Sequence, residues 1–459
     1  MKLNYKKTIC VGFAFFLISM FWQAYDTLVP KILTDKFGMA QTWSGAIMAL
    51  DNLIALFLLP IFGAISDKTK TRFGRRTPYI VVGTVISSVA FFALSFIDNW
   101  QRANLGDLAY DTPDRLEKAW EATVASPVTL VFFIVMLLVV LLAMAIFRSP
   151  AVALMPDVTV KPLRSKANAI INLMGTAGGI IVLALGIVFG TGKPENALMS
   201  YTVFFGVVGG LMLCALVAFL FTVNEPKLVR EMEEETVRFG LDNDEEPVAD
   251  ANVGAKLDRP HLISLLLILA SVALWYMGYN AVTTKYSVYA GNVLGLDYNT
   301  TLIIAQGAAI VAYIPAGIVA TKLGRRKTIL GGVILLFAAF FLASFLRAGS
   351  PAFLVNLLFI LAGIAWATIN VNSFPMVVEL SKSADVGRYT GFYYTASMSA
   401  QIVTPILSGV FLDHIGMTTL FPYASVFVAL AFVTMFFVRH GDAKPTERKS
   451  VLEQLGADD

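Results

Sequence analysis

Charge is scarce in this chain. Asp, Glu, Lys and Arg make up 15% of its 459 residues, where an ordinary soluble domain carries about a quarter. A solvated globular surface is thereby excluded for most of the sequence. Cysteine is nearly missing: Cys10 and Cys214 lie in separate apolar segments, give no disulfide framework, and are expected to be buried small hydrophobes. The three histidines, His261, His414 and His440, are dispersed without metal-ligand spacing, so no metal site is expected. No Gly-x-x-x-x-Gly-Lys-Ser/Thr loop occurs, which argues against ATP hydrolysis within the chain, and no other catalytic constellation marks an enzyme. Period-2 alternation is absent, which excludes an outer-membrane barrel. The basic residues form no nucleic-acid patch.

What is present is hydrophobic: 57% of the chain. Between short charged islands run twelve apolar stretches of roughly 18–24 residues, the length that spans about 30 Å of hydrocarbon as a helix. They cover about 8–29, 43–66, 78–97, 127–149, 168–190, 200–223, 261–284, 299–320, 328–346, 352–373, 390–412 and 419–438. The first follows Lys2, Lys6 and Lys7 and imitates a signal peptide, but it contains Trp22, Gln23 and Asp26 and lacks a small-residue cleavage site. It reads as a retained spanning helix. The expectation is an all-α membrane protein with twelve transmembrane helices.

Lys and Arg gather on alternate connections: Lys2, Lys6 and Lys7; Lys68 to Arg76; Arg148 to Lys166; Lys322 to Lys327; and Arg439 to Lys449. The positive-inside rule then puts both termini in the cytoplasm of a multi-pass protein of the cytoplasmic (inner) cell membrane. Two connections are long. Residues 99–126 form an acidic extracytoplasmic segment whose 114–120 part is suited to a short surface helix, and residues 224–260 form a charged linker. The boundaries expected are an N-terminal six-helix bundle at 1–223, a cytoplasmic linker at 224–260, a C-terminal six-helix bundle at 261–440 and a cytoplasmic tail at 441–459.

The halves repeat. Gly63-Ala-Ile-Ser-Asp67-Lys68 leads to Gly74-Arg75-Arg76, and Gly317-Ile-Val-Ala-Thr321-Lys322-Leu leads to Gly324-Arg325-Arg326. Asp157 with Arg164 after the fourth stretch corresponds to Glu379 with Arg388 after the tenth. Gly63 and Gly317 are expected to admit close helix contacts. The acids Asp67, Asp157 and Glu379, with Arg75, Arg76, Arg164, Arg325, Arg326 and Arg388, are expected to form pairs that hold the cytoplasmic side shut and break as the halves rock apart.

These turns resemble the Gly-x-x-x-Asp-Arg/Lys-x-Gly-Arg-Arg/Lys signature of the major facilitator superfamily. The lengthened first copy, with Arg76-Thr-Pro78-Tyr79, Trp22-Gln-Ala-Tyr-Asp26, Ala151-Val-Ala-Leu-Met-Pro-Asp157 and Arg164-Ser-Lys-Ala-Asn168, is similar to the glycoside–pentoside–hexuronide:cation symporters and the related sucrose-transporter group. The resemblance implies two pseudo-symmetric bundles of the major facilitator fold enclosing one solute site. Melibiose-type permeases place two acids one turn apart on helix 2. Here those positions are Ala55 and Leu59, so the coupling ion expected is a proton and no cofactor is expected. Sucrose transporters carry an arginine just ahead of the helix-4 acid, where this chain has Val152, with Arg148 a turn earlier.

Ionisable residues within spans mark function by default, because hydrocarbon makes them costly. Asp51, two turns into the second stretch, is the first candidate for proton coupling, with Asp26 on the neighbouring helix and Arg148, placed at the end of helix 4, as partners. Solute binding is assigned to Trp22, Gln23 and Asp26 on helix 1, to Tyr276 and Asn280 on helix 7 with Thr283 on the same face, and to Trp366 and Asn370 on helix 10. Asn372, Gln306 and Gln401 are expected to complete the cavity. The function expected is import of a sugar or glycoside, such as a disaccharide, coupled to protons by alternating access in a monomer whose partners are that small molecule and the bilayer. A polyspecific exporter and a non-transporting membrane sensor are the alternatives.

Overall fold

Without water to receive them, backbone N–H and C=O groups must pair inside their own segment, which makes the helix the only open-chain solution in lipid. The computed structural model describes residues 3–160, 163–239, 259–378, 380 and 386–440 and is helical nearly throughout. Its helices are α1 (Tyr5–Asp35), α2 (Gln41–Lys68), α3 (Thr77–Asn104), α4 (Arg115–Ala125), α5 (Val128–Asp157), α6 (Arg164–Phe189), α7 (Thr202–Thr222), α8 (Glu225–Arg238), α9 (Arg259–Tyr289), α10 (Tyr298–Leu323), α11 (Arg325–Ala343), α12 (Ala352–Val378), α13 (Val386–His414) and α14 (Leu420–Phe436). Eleven helices among the described residues are long and apolar enough to cross a bilayer. The eighth apolar stretch forms the further 26-residue helix α10.

Side chains sort into two apolar cores. One joins α1, α2, α3, α5, α6 and α7 from Val11 to Val223, and the other joins α9 to α14 from Leu265 to Val438. Aromatic contacts run through each: Phe91 meets Phe205 edge-on at 4.4 Å in the first, and Tyr286 lies 4.4 Å from Phe359 in the second. Across the divide α1 packs on α9, α2 on α13 and α6 on α10.

One face carries both ends of the described chain. There Lys7 of α1 pairs with Glu231 of α8, and Ser264 of α9 hydrogen-bonds His440 beyond α14 at 3.0 Å. The helix α8 begins the linker, capped by Asn224, whose side chain accepts from the Lys227 amide at 3.1 Å. Its Glu225 carboxylate accepts from the amides of Arg75, Arg76 and Thr77 and from the Thr77 hydroxyl, at 2.7–3.1 Å. These are the orphan donors at the start of α3, so a residue of the linker caps that helix. The rest of the linker, 240–258, and the tail, 441–459, lie outside the described residues.

On the opposite face α4 realises the short surface helix. Beneath it Lys36 and Asp98, both fully buried, form an ion pair at 2.6 Å; Lys36 also donates to the Met199 carbonyl and stands over the Tyr201 ring. A buried ammonium is tolerable only with its donors satisfied in this way.

Three expectations need correction. The helix α5 does not stop at 149 but continues through Pro150 and Pro156 to Asp157, which carries Arg148 into the interior. Cys214 is exposed and Cys10 half-buried, since the apolar face of a spanning helix points outward as readily as inward. The histidines are not all dispersed, because the His261 and His440 rings approach to 4.2 Å.

Candidate solute and coupling site

Within the spans, several polar side chains keep partial exposure alongside the many exposed apolar ones. On α1 the fully buried Phe21 and Tyr25 anchor the first core, while Trp22, Gln23 and Asp26 keep partial exposure. Asp51, ten residues after the start of α2, is likewise half-buried and accepts from the Asn52 amide group at 2.8 Å. Arg148 of α5 places its guanidinium over the Trp22 ring at 5.2 Å. Asp26, Asp51 and Arg148 lie close enough to interact electrostatically, yet no direct ion pair joins Arg148 to either acid among the described residues. The buried Trp22 indole N–H has no acceptor there either. One cation and two acids therefore lie together in the first bundle with hydrogen-bonding capacity to spare.

Among the described residues, the second core contributes rings and amides here. Tyr279 stacks on Trp366 at 3.7 Å with the planes 4° apart, and Tyr276 meets the same indole edge-on at 5.2 Å. Asn280 donates to the Gln401 carbonyl at 3.4 Å and receives the Thr283 hydroxyl. Asn370, one turn beyond Trp366, is half-buried. Asn372 turns back to the Thr368 carbonyl of its own helix and is buried. Gln306 of α10 reaches across to Gln23 at 2.6 Å, so a polar contact bridges the two sets. Tyr279 belongs to the polar-aromatic segment of helix 7 but is not among the residues the sequence assigns to solute binding, although it lies one turn from Tyr276 on the same helix.

The basic turn of the first half is assembled within its own bundle. Arg76 and Arg75 both bond Asp157 (2.7 and 2.8 Å), and Arg76 also bonds Asp67 and Ser66. Burial works against the Arg76 charge, but the Asp157 and Asp67 carboxylates more than offset it and hold its pKa above the ordinary arginine value. Gly63 sits against Ser149 of α5, where a Cβ would come within 2.9 Å of the hydroxyl. At Gly317 a Cβ would meet nothing within 4 Å, so the expected close approach is not made there. Arg326 donates to the Phe436 carbonyl from the start of α11, next to Arg325. Glu379 and the side chains of Arg164 and Arg388 lie outside the described residues.

The pairs that cross between the bundles cluster toward the face opposite the termini. Asn299 bonds Thr191, Arg115 bonds Asn292, and α2 meets α13. Nearer the terminal face, Phe57, Ile61 and Ile65 of α2 and Tyr394 of α13 are exposed. The bundles are thus joined toward the face opposite the termini.

A family model described as MFS/sugar transport protein matches residues 10–377. The chain belongs to this family. A second model, Major Facilitator Superfamily, matches residues 303–457 of the chain. Sucrose transport protein SUC3 of Arabidopsis thaliana is 28% identical over 159 residues, 35% of this chain and 25% of that protein. An uncharacterized symporter of Synechocystis sp. is 25% identical over 165 residues, 36% and 27% of the two chains. The matched region spans about a quarter of these relatives' length. Among solved structures, the inward open conformation of the xylose transporter XylE from E. coli has a TM-score of 0.64 at 14% identity, covering 98% of each chain. A D-xylose-proton symporter has a TM-score of 0.62 at 15% identity, covering 96% of this chain and 99% of that one. These likenesses give the major facilitator fold, and the protein is a multi-pass membrane protein of that fold.

Proposed function

We propose that this protein imports a sugar or glycoside together with protons, by alternating access between its two bundles. The observation that carries the reading is the pairing of unlike surfaces across one divide: Asp26, Asp51 and Arg148 on one side, and Tyr276, Tyr279, Asn280 and Trp366 on the other. Aromatic faces suit the apolar faces of a pyranose ring and amides suit its hydroxyls. Acids beside them provide a place for the coupling proton. The sucrose and symporter relatives and the xylose-proton structural neighbour support the choice of solute and ion. The terminal face, where the basic turns lie, is the cytoplasmic face of the inner cell membrane on this reading.

In the proposed cycle, a proton on Asp51 and a solute between Trp22 and Trp366 favour closure on the outside and opening inward. Loss of the proton to the cytoplasm resets the protein. Gly63, Asp67, Arg75, Arg76 and Asp157 form one unit of the first bundle that moves as a body and lines its side of the cytoplasmic gate, with Arg164, Gly317, Arg325, Arg326, Glu379 and Arg388 assigned to the rest of that gate. The protein works as a monomer without a cofactor.

The test is counterflow in proteoliposomes over a panel of mono-, disaccharide and uronide solutes, after a thermal-shift screen of the same panel. At least one sugar is expected both to stabilise the protein and to exchange. A panel in which no sugar exchanges, while unrelated amphiphiles do, overturns the assignment.

A further inference from the structure

The helix α2 starts without a cap of its own. Its N-cap residue is Ala40, whose side chain accepts nothing, so the first amides need an acceptor from elsewhere. That acceptor comes from the other bundle. Asp413, near the end of α13, receives the Gln41 amide at 2.7 Å, the Thr42 amide at 2.7 Å and the Thr42 hydroxyl at 2.6 Å. Lys285 of α9, also in the other bundle and fully buried, donates to the Gln41 carbonyl at 2.7 Å. The first residue of α2 is thus gripped at its N–H by an acid and at its C=O by an ammonium. Below this grip the backbones touch: a Cβ on Gly45 would lie 1.9 Å from the Pro405 carbonyl oxygen, and one on Gly409 would lie 2.4 Å from that of Gln41.

We propose that Asp413, with Lys285 behind it, is a latch that holds the two bundles together at the face opposite the termini by capping α2 across the divide. The geometry fits a contact that must also release. Asp413 is exposed, so water can take its place on the amides as the helices part, and the acid is favoured at a helix N-terminus by the dipole while it is engaged. Arg115 adds a lateral tie, bonding Asp35 of its own bundle at 2.8 Å and Asn292 of the other at 3.1 Å. The latch concerns the motion between bundles and holds whichever solute or ion is carried.

The test measures separation of the bundles at this face. Nitroxides are placed at Lys118→Cys on α4 and Ala348→Cys between α11 and α12, in full-length protein with Cys10→Ser and Cys214→Ser, and their distance distribution is recorded by pulsed electron resonance without solute. Asp413→Ala is expected to raise the longer-distance population at least fivefold, and Lys285→Met to raise it in the same direction. Asp107→Ala, an exposed acid on the same face, serves as the control and is expected to leave it unchanged. An Asp413→Ala distribution identical to the parent overturns the latch. Should Asp413→Ala not be recovered folded, Thr42→Val decides. It removes one donor and leaves every charge in place, and the latch predicts a smaller shift toward longer distances, whereas no shift rejects it.

Discussion

The two bundles line the divide with different chemistry. The first places two acids and an arginine at mid-depth, and the second places an indole, two phenols and an asparagine there. Both are helical, apolar and similar in size, so the difference lies in the inward-facing positions and not in the scaffold. It suggests a division of labour, in which the first bundle handles the coupling proton and the second recognises the solute's rings and hydroxyls. The first bundle also separates two kinds of buried charge. Lys36 and Asp98 are paired to saturation, whereas Arg148 has no direct acidic partner among the described residues. On the proposed reading, the saturated pair belongs to the architecture and the unsaturated charges serve the cycle.

The sharpest way to test that separation is to break the saturated pair. Asp98→Asn strands a buried ammonium and is expected to destabilise the protein by about 3–5 kcal/mol, read as a large fall in thermal unfolding temperature. The double variant Lys36→Met with Asp98→Leu should recover most of it. Next comes the coupling side. A one-unit pH gradient is worth about 1.4 kcal/mol per proton, roughly tenfold accumulation. Asp51→Asn is expected to reduce accumulation to equilibration while solute counterflow persists. On the recognition side, Trp366→Ala removes the ring stacked on Tyr279. Aromatic stacking is worth about 0.5–1.5 kcal/mol, so a rise of about two- to tenfold in half-saturating solute is expected with proton coupling intact. The reverse pattern, lost coupling in Trp366→Ala and weakened solute affinity alone in Asp51→Asn, would break the division of labour.

The smallest effect lies at the terminal face. The hydrogen bond from Lys7 holds the Glu231 carboxyl below its ordinary pKa. A depressed acid contributes stability above its unfolded value and loses it as pH falls through the folded one. Both side chains are well solvated, at 48% and 34% exposure, so Lys7→Ala should cost only about 0.5 kcal/mol. The difference from the parent should close as the pH drops below the depressed Glu231 value.

A carboxylate from a distant helix caps a helix start at both faces. Glu225 caps α3 from the start of the linker, and Asp413 caps α2 across the divide. Neither was legible in the sequence, because a cap supplied from about 150 or 370 residues away leaves no local pattern. The spans were legible because hydrocarbon imposes one length and one composition. Asp26, Asp51, Tyr276, Asn280 and Trp366 stood out because polar groups in lipid are rare. The depth of Arg148 was misjudged because Pro150 reads as a helix end, whereas in a spanning helix neighbouring segments make an internal proline tolerable. Arg75 and Arg76 were read as partners across the gate, but their acid, Asp157, belongs to the same bundle. Position in a repeat identifies a motif without saying which neighbour it will meet.

The central claim is that solute and proton enter together through Asp51. It is tested most directly in proteoliposomes that hold a pH dye and are given a sugar that exchanges in counterflow. The account predicts acidification of the lumen on sugar addition with the parent protein, and none with Asp51→Asn despite continued exchange. Sugar entry without any proton movement in the parent, or equal acidification by Asp51→Asn, would contradict it.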